Sequence, residues 1–118
     1  MAEVEKDLVK TTVRGLSRAI ILWILNQETM SGYKIVKEIE ALTGQKVTSG
    51  VIYPLLYELE KSGCIAGKWT QKGKRQIKEY AITKNGVELL SSLRKIFEMP
   101  VKEVLMDFIS EKGERGHP

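Results

Sequence analysis

The sequence predicts an α+β fold, mostly α: three helices, a two-stranded β-hairpin, then two further helices. Three features predict it. Apolar residues recur at helical spacing in separate stripes. Two strand-like segments flank a short basic stretch at 71–75, and capping residues with glycine or proline stops punctuate the chain. A length of 118 residues suits one core rather than two.

Residues 1–12 read as an N-terminal helix or arm, with Val4 and Leu8 one turn apart. Gly15 interrupts it, and a helix from about Leu16 to Leu25, apolar nearly all round, forms the spine of the core with Trp23 packed inside. After a polar connection at 26–29, Ser31 caps a second helix from Gly32 to Leu42. Ile35, Ile39 and Leu42 form its stripe, and Gly44 stops it.

Thr48 and Ser49 offer a second capping site, for a third helix that runs to about Ser62 before Gly63. Ile52, Leu55, Leu56 and Leu59 fall at i, i+3, i+4 and i+7, and Pro54 lies about one turn in, where it removes one early hydrogen bond without breaking the helix. Val51 and Tyr57 lie on the other side, Val51 exposed and Tyr57 as a half-buried packing residue. Strands at Ile65–Thr70 and Gln76–Ile82 are joined by Gln71-Lys72-Gly73-Lys74-Arg75, and Tyr80 and Ile82 share one face with Lys78.

Thr83 caps a fourth helix, about Lys84 to Phe97, with Leu90, Leu93 and Phe97 on one stripe. Met99-Pro100 breaks it, and Pro100 fits the first position of a fifth helix carrying Val101, Val104, Leu105 and Phe108. Residues 111–118 form a polar, glycine-bearing tail expected to be disordered.

Composition excludes most enzymatic chemistry. Cys64 is the only cysteine and His117, in the tail, the only histidine. One subunit therefore has no internal disulfide and no zinc site of the usual Cys/His kind, and no metal, cofactor or catalytic residue is expected. Cys64 reads as a small, partly buried hydrophobe. The longest apolar run, from Ala19 to Leu25, is too short to span a bilayer, and no secretion signal opens the chain, so a cytoplasmic, nucleoid-associated protein without membrane contact is expected.

Charge is concentrated. Between positions 45 and 78, Lys46, Lys61, Lys68, Lys72, Lys74, Arg75 and Lys78 face only Glu58 and Glu60, a net +5 where the whole chain carries +4. A basic excess confined to one part of a small domain suits either a polyanion footprint or a solvated basic face.

Three helices followed by a hairpin is the order of a winged helix-turn-helix, placed at residues 13–86, with residues 87–110 as dimerisation helices. A helix fits the DNA major groove, and a basic hairpin can reach a neighbouring groove or phosphates. Thr48, Ser49, Gly50, Val51 and Tyr53 stand at the reading end of the third helix: hydroxyls for phosphate or base, a glycine for close approach, a valine for a thymine methyl. Capping alone also explains a hydroxyl at 48 or 49. Lys72, Lys74 and Arg75 cluster at the hairpin tip, where like charges repel unless a polyanion is present; Lys46 precedes the reading end.

Ser31-Gly32-Tyr33-Lys34-Ile35, Gly50-Val51-Ile52-Tyr53-Pro54-Leu55-Leu56, Leu59-Glu60-Lys61-Ser62-Gly63 and Tyr80-Ala81-Ile82-Thr83-Lys84-Asn85-Gly86 resemble the PadR family of transcriptional regulators, from about Val13 to Leu90. The resemblance implies a homodimeric winged-helix transcription factor, commonly a repressor, that binds double-stranded DNA. It places Tyr33 and Lys34 at the start of the helix abutting the DNA backbone. Thr48, Ser49, Gly50 and Tyr53 then stand at the reading end, and Lys74 and Arg75 in the wing. The chain departs from the pattern at Ser49, often proline in the family, and Val51, often threonine. Some relatives bind planar aromatic compounds at the dimer interface, which makes a planar hydrophobic effector an expectation here.

An apolar fifth helix left uncovered marks an interface. Leu90, Leu93, Phe97, Val101, Val104, Leu105 and Phe108 are the candidate dimerisation residues, unless the fifth helix folds back on its own domain. A twofold dimer sets two reading helices about one DNA turn (~34–36 Å) apart, on a palindromic site. The competing class is a winged-helix protein-interaction module inside a larger assembly, which would not shift duplex DNA.

Overall fold

A computed structural model describes residues 2–44, 46 and 49–110. Thr48 and the tail at 111–118, His117 included, lie outside the described residues. The order is α1 (Ala2–Gln27), β1 (Met30–Ser31), α2 (Gly32–Thr43), α3 (Ser49–Lys61), β2 (Ile65–Lys72), β3 (Arg75–Ile82), α4 (Lys84–Phe97) and α5 (Val101–Ser110).

Each helix of the core forms for a reason visible in its ends and its buried stripe. The Ser31 hydroxyl accepts the Lys34 N–H at the start of α2, and the Gly44 N–H bonds to the Glu40 carbonyl at its end. Ile52, Leu55, Leu56 and Leu59 of α3 are buried, as their spacing predicts, against Ile21, Leu22, Ile24 and Leu25 of α1 and Ile35, Val36 and Ile39 of α2. Cys64, Ile65, Tyr80 and Leu90 close the same core. At the start of α4 the Thr83 hydroxyl accepts the Gly86 N–H at 3.2 Å and donates to the Gly63 carbonyl at 2.6 Å, so one cap also ties the end of α3 to α4.

Several expectations need correction. Gly15 does not interrupt: α1 is one helix of 26 residues, because a single interior glycine costs about 1 kcal/mol, too little to end a helix anchored downstream. Nor is the stretch from Leu16 to Leu25 covered all round, since Leu16 is 52% and Trp23 50% exposed. The sheet has three strands, not two: Met30 and Ser31 pair with Tyr80 and Glu79, giving the order β1-β3-β2. The hairpin is longer and its turn tighter, with Lys72 paired to Arg75 across Gly73 and Lys74 alone. Gly73 has a φ of 63° and, among the described residues, no residue other than glycine has positive φ, the pattern of a type II′ turn with glycine first.

The helix α5 packs on α4 and buries none of its residues. No helix among the described residues is long and apolar enough to cross a membrane.

Candidate nucleic-acid interface

The first turn of α2, the first turns of α3 and the distal half of β3 meet around one open cleft of about 730 Å³. Tyr33, Tyr53 and Arg75, singled out from the sequence on three separate elements, all line it. Gly32 explains how α2 and α3 come so close. The Tyr53 ring crosses the start of α2, and a Cβ at position 32 would lie 2.6 Å from Tyr53 Cε1.

The remaining candidates divide. Ser49 and Gly50 are exposed at the start of α3, and Lys46 is exposed ahead of it. Lys72 and Arg75 form the last pair of the hairpin with Lys74 in the turn between them, so the three cations crowd one tip. Lys34 is exposed 3.7 Å from Glu28, and Tyr33 carries the Lys37 ammonium over its ring at 5.5 Å. Val51 is half-buried and packs against the core, so it is less exposed than expected. Tyr57 is corrected in the other direction, exposed with the Lys61 ammonium 6.0 Å from its ring.

Charges near the cleft are arranged rather than merely numerous. Lys78 donates to Glu60 Oε1 at 2.9 Å, and this bond holds its pKa above the ordinary lysine value. The Tyr80 phenol beside it is pushed up by burial and stays neutral. Glu58, on the exposed side of α3, is clamped by Arg18 at 2.6 Å and Arg14 at 3.2 Å, which hold its carboxyl below the usual range. Both carboxylates of α3 are thus neutralised locally, and Lys72, Lys74 and Arg75 form none of the ion pairs found among the described residues. A polyanion meeting this surface finds the wing cations unengaged and the α3 carboxylates masked.

Sequence reasoning missed Trp69, Gln76 and Ile77 as lining residues of the cleft, and the Glu60–Lys78 pair beneath it. The register that puts Trp69 opposite Lys78 follows from the tight turn at Gly73, which the expected loop at 71–75 does not give.

The second candidate surface lies on the far side of α1. Trp23, Ile20 and Leu42 face Leu93, Arg94 and Phe97 across an open groove of about 480 Å³. Leu90, which also lines this groove, is buried in the chain's own core, and Leu93 is partly buried against that core. Phe97, Val101, Val104, Leu105 and Phe108 remain exposed.

The fold and the basic wing define a winged-helix protein of the transcription-regulator type. The sequence profile of the PadR-like transcriptional regulator family matches residues 21–92, more than half the chain, and the protein belongs to that family, one of regulators rather than enzymes. The Transcriptional regulator YqjI of Escherichia coli K12 is 38% identical over 87 residues, covering 72% of this chain and 41% of that protein. The chain spans about two fifths of the length of the curated relatives it matches. Among solved structures, a PadR-like transcriptional regulator from Bacillus cereus superposes with a TM-score of 0.73 at 26% identity, over 86% of this chain and 99% of that one. Bacillus subtilis PadR, solved in complex with operator DNA, gives a TM-score of 0.59 at 31% identity, over 66% of this chain and 45% of that one.

Proposed function

We propose that this protein is a sequence-specific, double-stranded DNA-binding transcriptional regulator, a repressor, acting at the nucleoid as a homodimer on a palindromic site. The observation that carries the reading is the shared cleft: wing residue Arg75 and reading-helix residue Tyr53 line one surface, next to a tip of three cations. Thr48, Ser49, Gly50 and Tyr53 would read or position, Tyr33 and Lys34 would meet the backbone, and Lys46, Lys72, Lys74 and Arg75 would contact phosphates. The operator complex of the Bacillus subtilis relative supports the partner class.

Dimerisation is supported by exposed apolar residues at heptad spacing. Val9, Val13, Leu16 and Trp23 follow one seam of α1, Phe97 is exposed at the end of α4, and Val101, Val104 and Phe108 form one stripe of α5. Patches of this extent on a small chain mark interfaces. The groove between α1 and α4 shares Trp23 and Phe97 with these exposed residues, and its volume fits a planar hydrophobic effector seated between subunits. Thermal shift against a panel of such compounds tests that occupant.

Selection of bound sequences from a random duplex pool tests the main reading: two inverted half-sites about one turn (~10 base pairs) apart are expected. Alanine at Lys74 or Arg75 should weaken all duplexes alike and flatten the salt slope by about one each. A protein that shifts no duplex even at low salt would instead be a protein-interaction module.

A further inference from the structure

We infer that the cleft between the wing and the starts of α2 and α3 takes one sugar-phosphate strand of the duplex, with Trp69 stacking on a deoxyribose as a backbone-positioning residue. This rests on the DNA-binding reading and adds to it a contact residue and a path for the strand.

Trp69 is 63% exposed on β2, although an indole is well buried on average. Its register partner is Lys78, and alternation puts both on the sheet face that also carries Gly67 and Tyr80. That face looks toward α3, since the Gly67 N–H and the Lys78 ammonium both bond to Glu60. Trp69 therefore lines the cleft together with Tyr53 and Tyr33.

The occupant follows from chemistry and from groove geometry. The cleft is lined by four aromatic side chains and two cations, Arg75 and Lys78, the latter already bonded to Glu60 at 2.9 Å. Apolar walls beneath cations suit a chain of apolar sugars linked by phosphates. If α3 enters the major groove and the wing reaches the adjoining minor groove, the strand separating those grooves must pass between the two elements. The indole face then meets sugar C–H groups while Arg75 and the tyrosine hydroxyls meet phosphate. Such a contact positions the protein and is indifferent to base identity.

The protein has two tryptophans, so fluorotryptophan labelling gives two fluorine NMR resonances, and Trp69→Phe assigns them by removing one. The labelled protein is titrated with a random-sequence duplex of about two turns (~20 base pairs) at low salt, alongside a mobility shift. The Trp69 resonance should move with the midpoint of the mobility shift. Trp69→Ala should weaken binding about tenfold on every duplex with the salt slope unchanged, and Trp69→Phe should keep most of the affinity. A duplex that binds while the Trp69 resonance stays still, with Trp69→Ala binding as wild type, overturns the inference and leaves the DNA-binding reading intact. A resonance that answers only to a planar aromatic compound or a protein overturns it as well. No shift of any duplex by the wild type removes both.

Discussion

Lys78 of β3 donates to Glu60 of α3 at 2.9 Å, while the other oxygen of the same carboxylate accepts the Gly67 N–H of β2 at 3.2 Å. One side chain of α3 thereby grips both strands of the wing, just where the hairpin leaves the core. Glu60→Gln keeps an acceptor for Gly67 and removes the charge. It is expected to lower unfolding free energy by about 0.5–1 kcal/mol at neutral pH, measured by urea denaturation. Because the folded pKa of Lys78 is raised, the pair's contribution is complete below the unfolded lysine value of about 10.4 and is lost as pH rises through the folded value. The gap between wild type and Glu60→Gln should persist to about that pH and close above it.

Glu58 gives the opposite pH signature. Its carboxyl is held low, first by the hydrogen bond from Arg18 and then by the charges of Arg18 and Arg14. A depressed folded pKa adds stability above the unfolded glutamate value of about 4.3 and loses it as pH falls through the folded value. Thermal melts of wild type and Glu58→Gln should differ near neutrality, with the wild type higher, and converge as pH drops below about 4.3. A constant difference across that range would mean that the ion pairs do not tie α1 to α3.

What could be read from the sequence was whatever local periodicity and capping decide. The stripe Ile52, Leu55, Leu56, Leu59 and the caps Ser31 and Thr83 need no partner to be recognised, and each stands where spacing puts it. The strand β1 could not be read, because two residues carry no period and Met30-Ser31 is extended only through pairing with Tyr80 and Glu79. Trp23 and Val51 differ in exposure from what their stripes predict for a related reason: a helix stripe says which residues share a face, and the neighbours decide how wide the covered face is. At the candidate interface, the basic tip was plain in composition. The cleft was not, since Trp69, Tyr53 and Tyr33 come to line one opening only through the angle between wing and helices.

Gly86 marks the tightest junction in the fold. A Cβ there would run into the Cys64 carbonyl oxygen and lie 2.6 Å from Ile82 Cγ1, so the first turn of α4 rests on the backbone that opens β2. Backbone cannot swing aside as a lysine tail can. Gly86→Ala is expected to cost about 2–3 kcal/mol in spite of the better helix propensity of alanine, measured by chemical denaturation. Gly15→Ala, where nothing lies within 4 Å of the added methyl, is the matching control and should stabilise by up to about 1 kcal/mol.

Phe108 is 74% exposed on a helix that buries nothing in its own protomer, and Val104 lies one turn before it at 66%. Neither can contribute much to folding of the single chain, so charge at these positions isolates association from stability. Val104→Asp with Phe108→Asp is expected to leave the helical circular dichroism of the core intact while sedimentation moves from dimer to monomer. Two half-sites bound by one rigid dimer gain from effective concentration, so affinity for a palindromic duplex should fall about a hundredfold or more. Binding to an isolated half-site should change little. If sedimentation still gives a dimer, α5 is not the interface, and the apolar seam of α1 from Val9 to Trp23 becomes the surface to charge next.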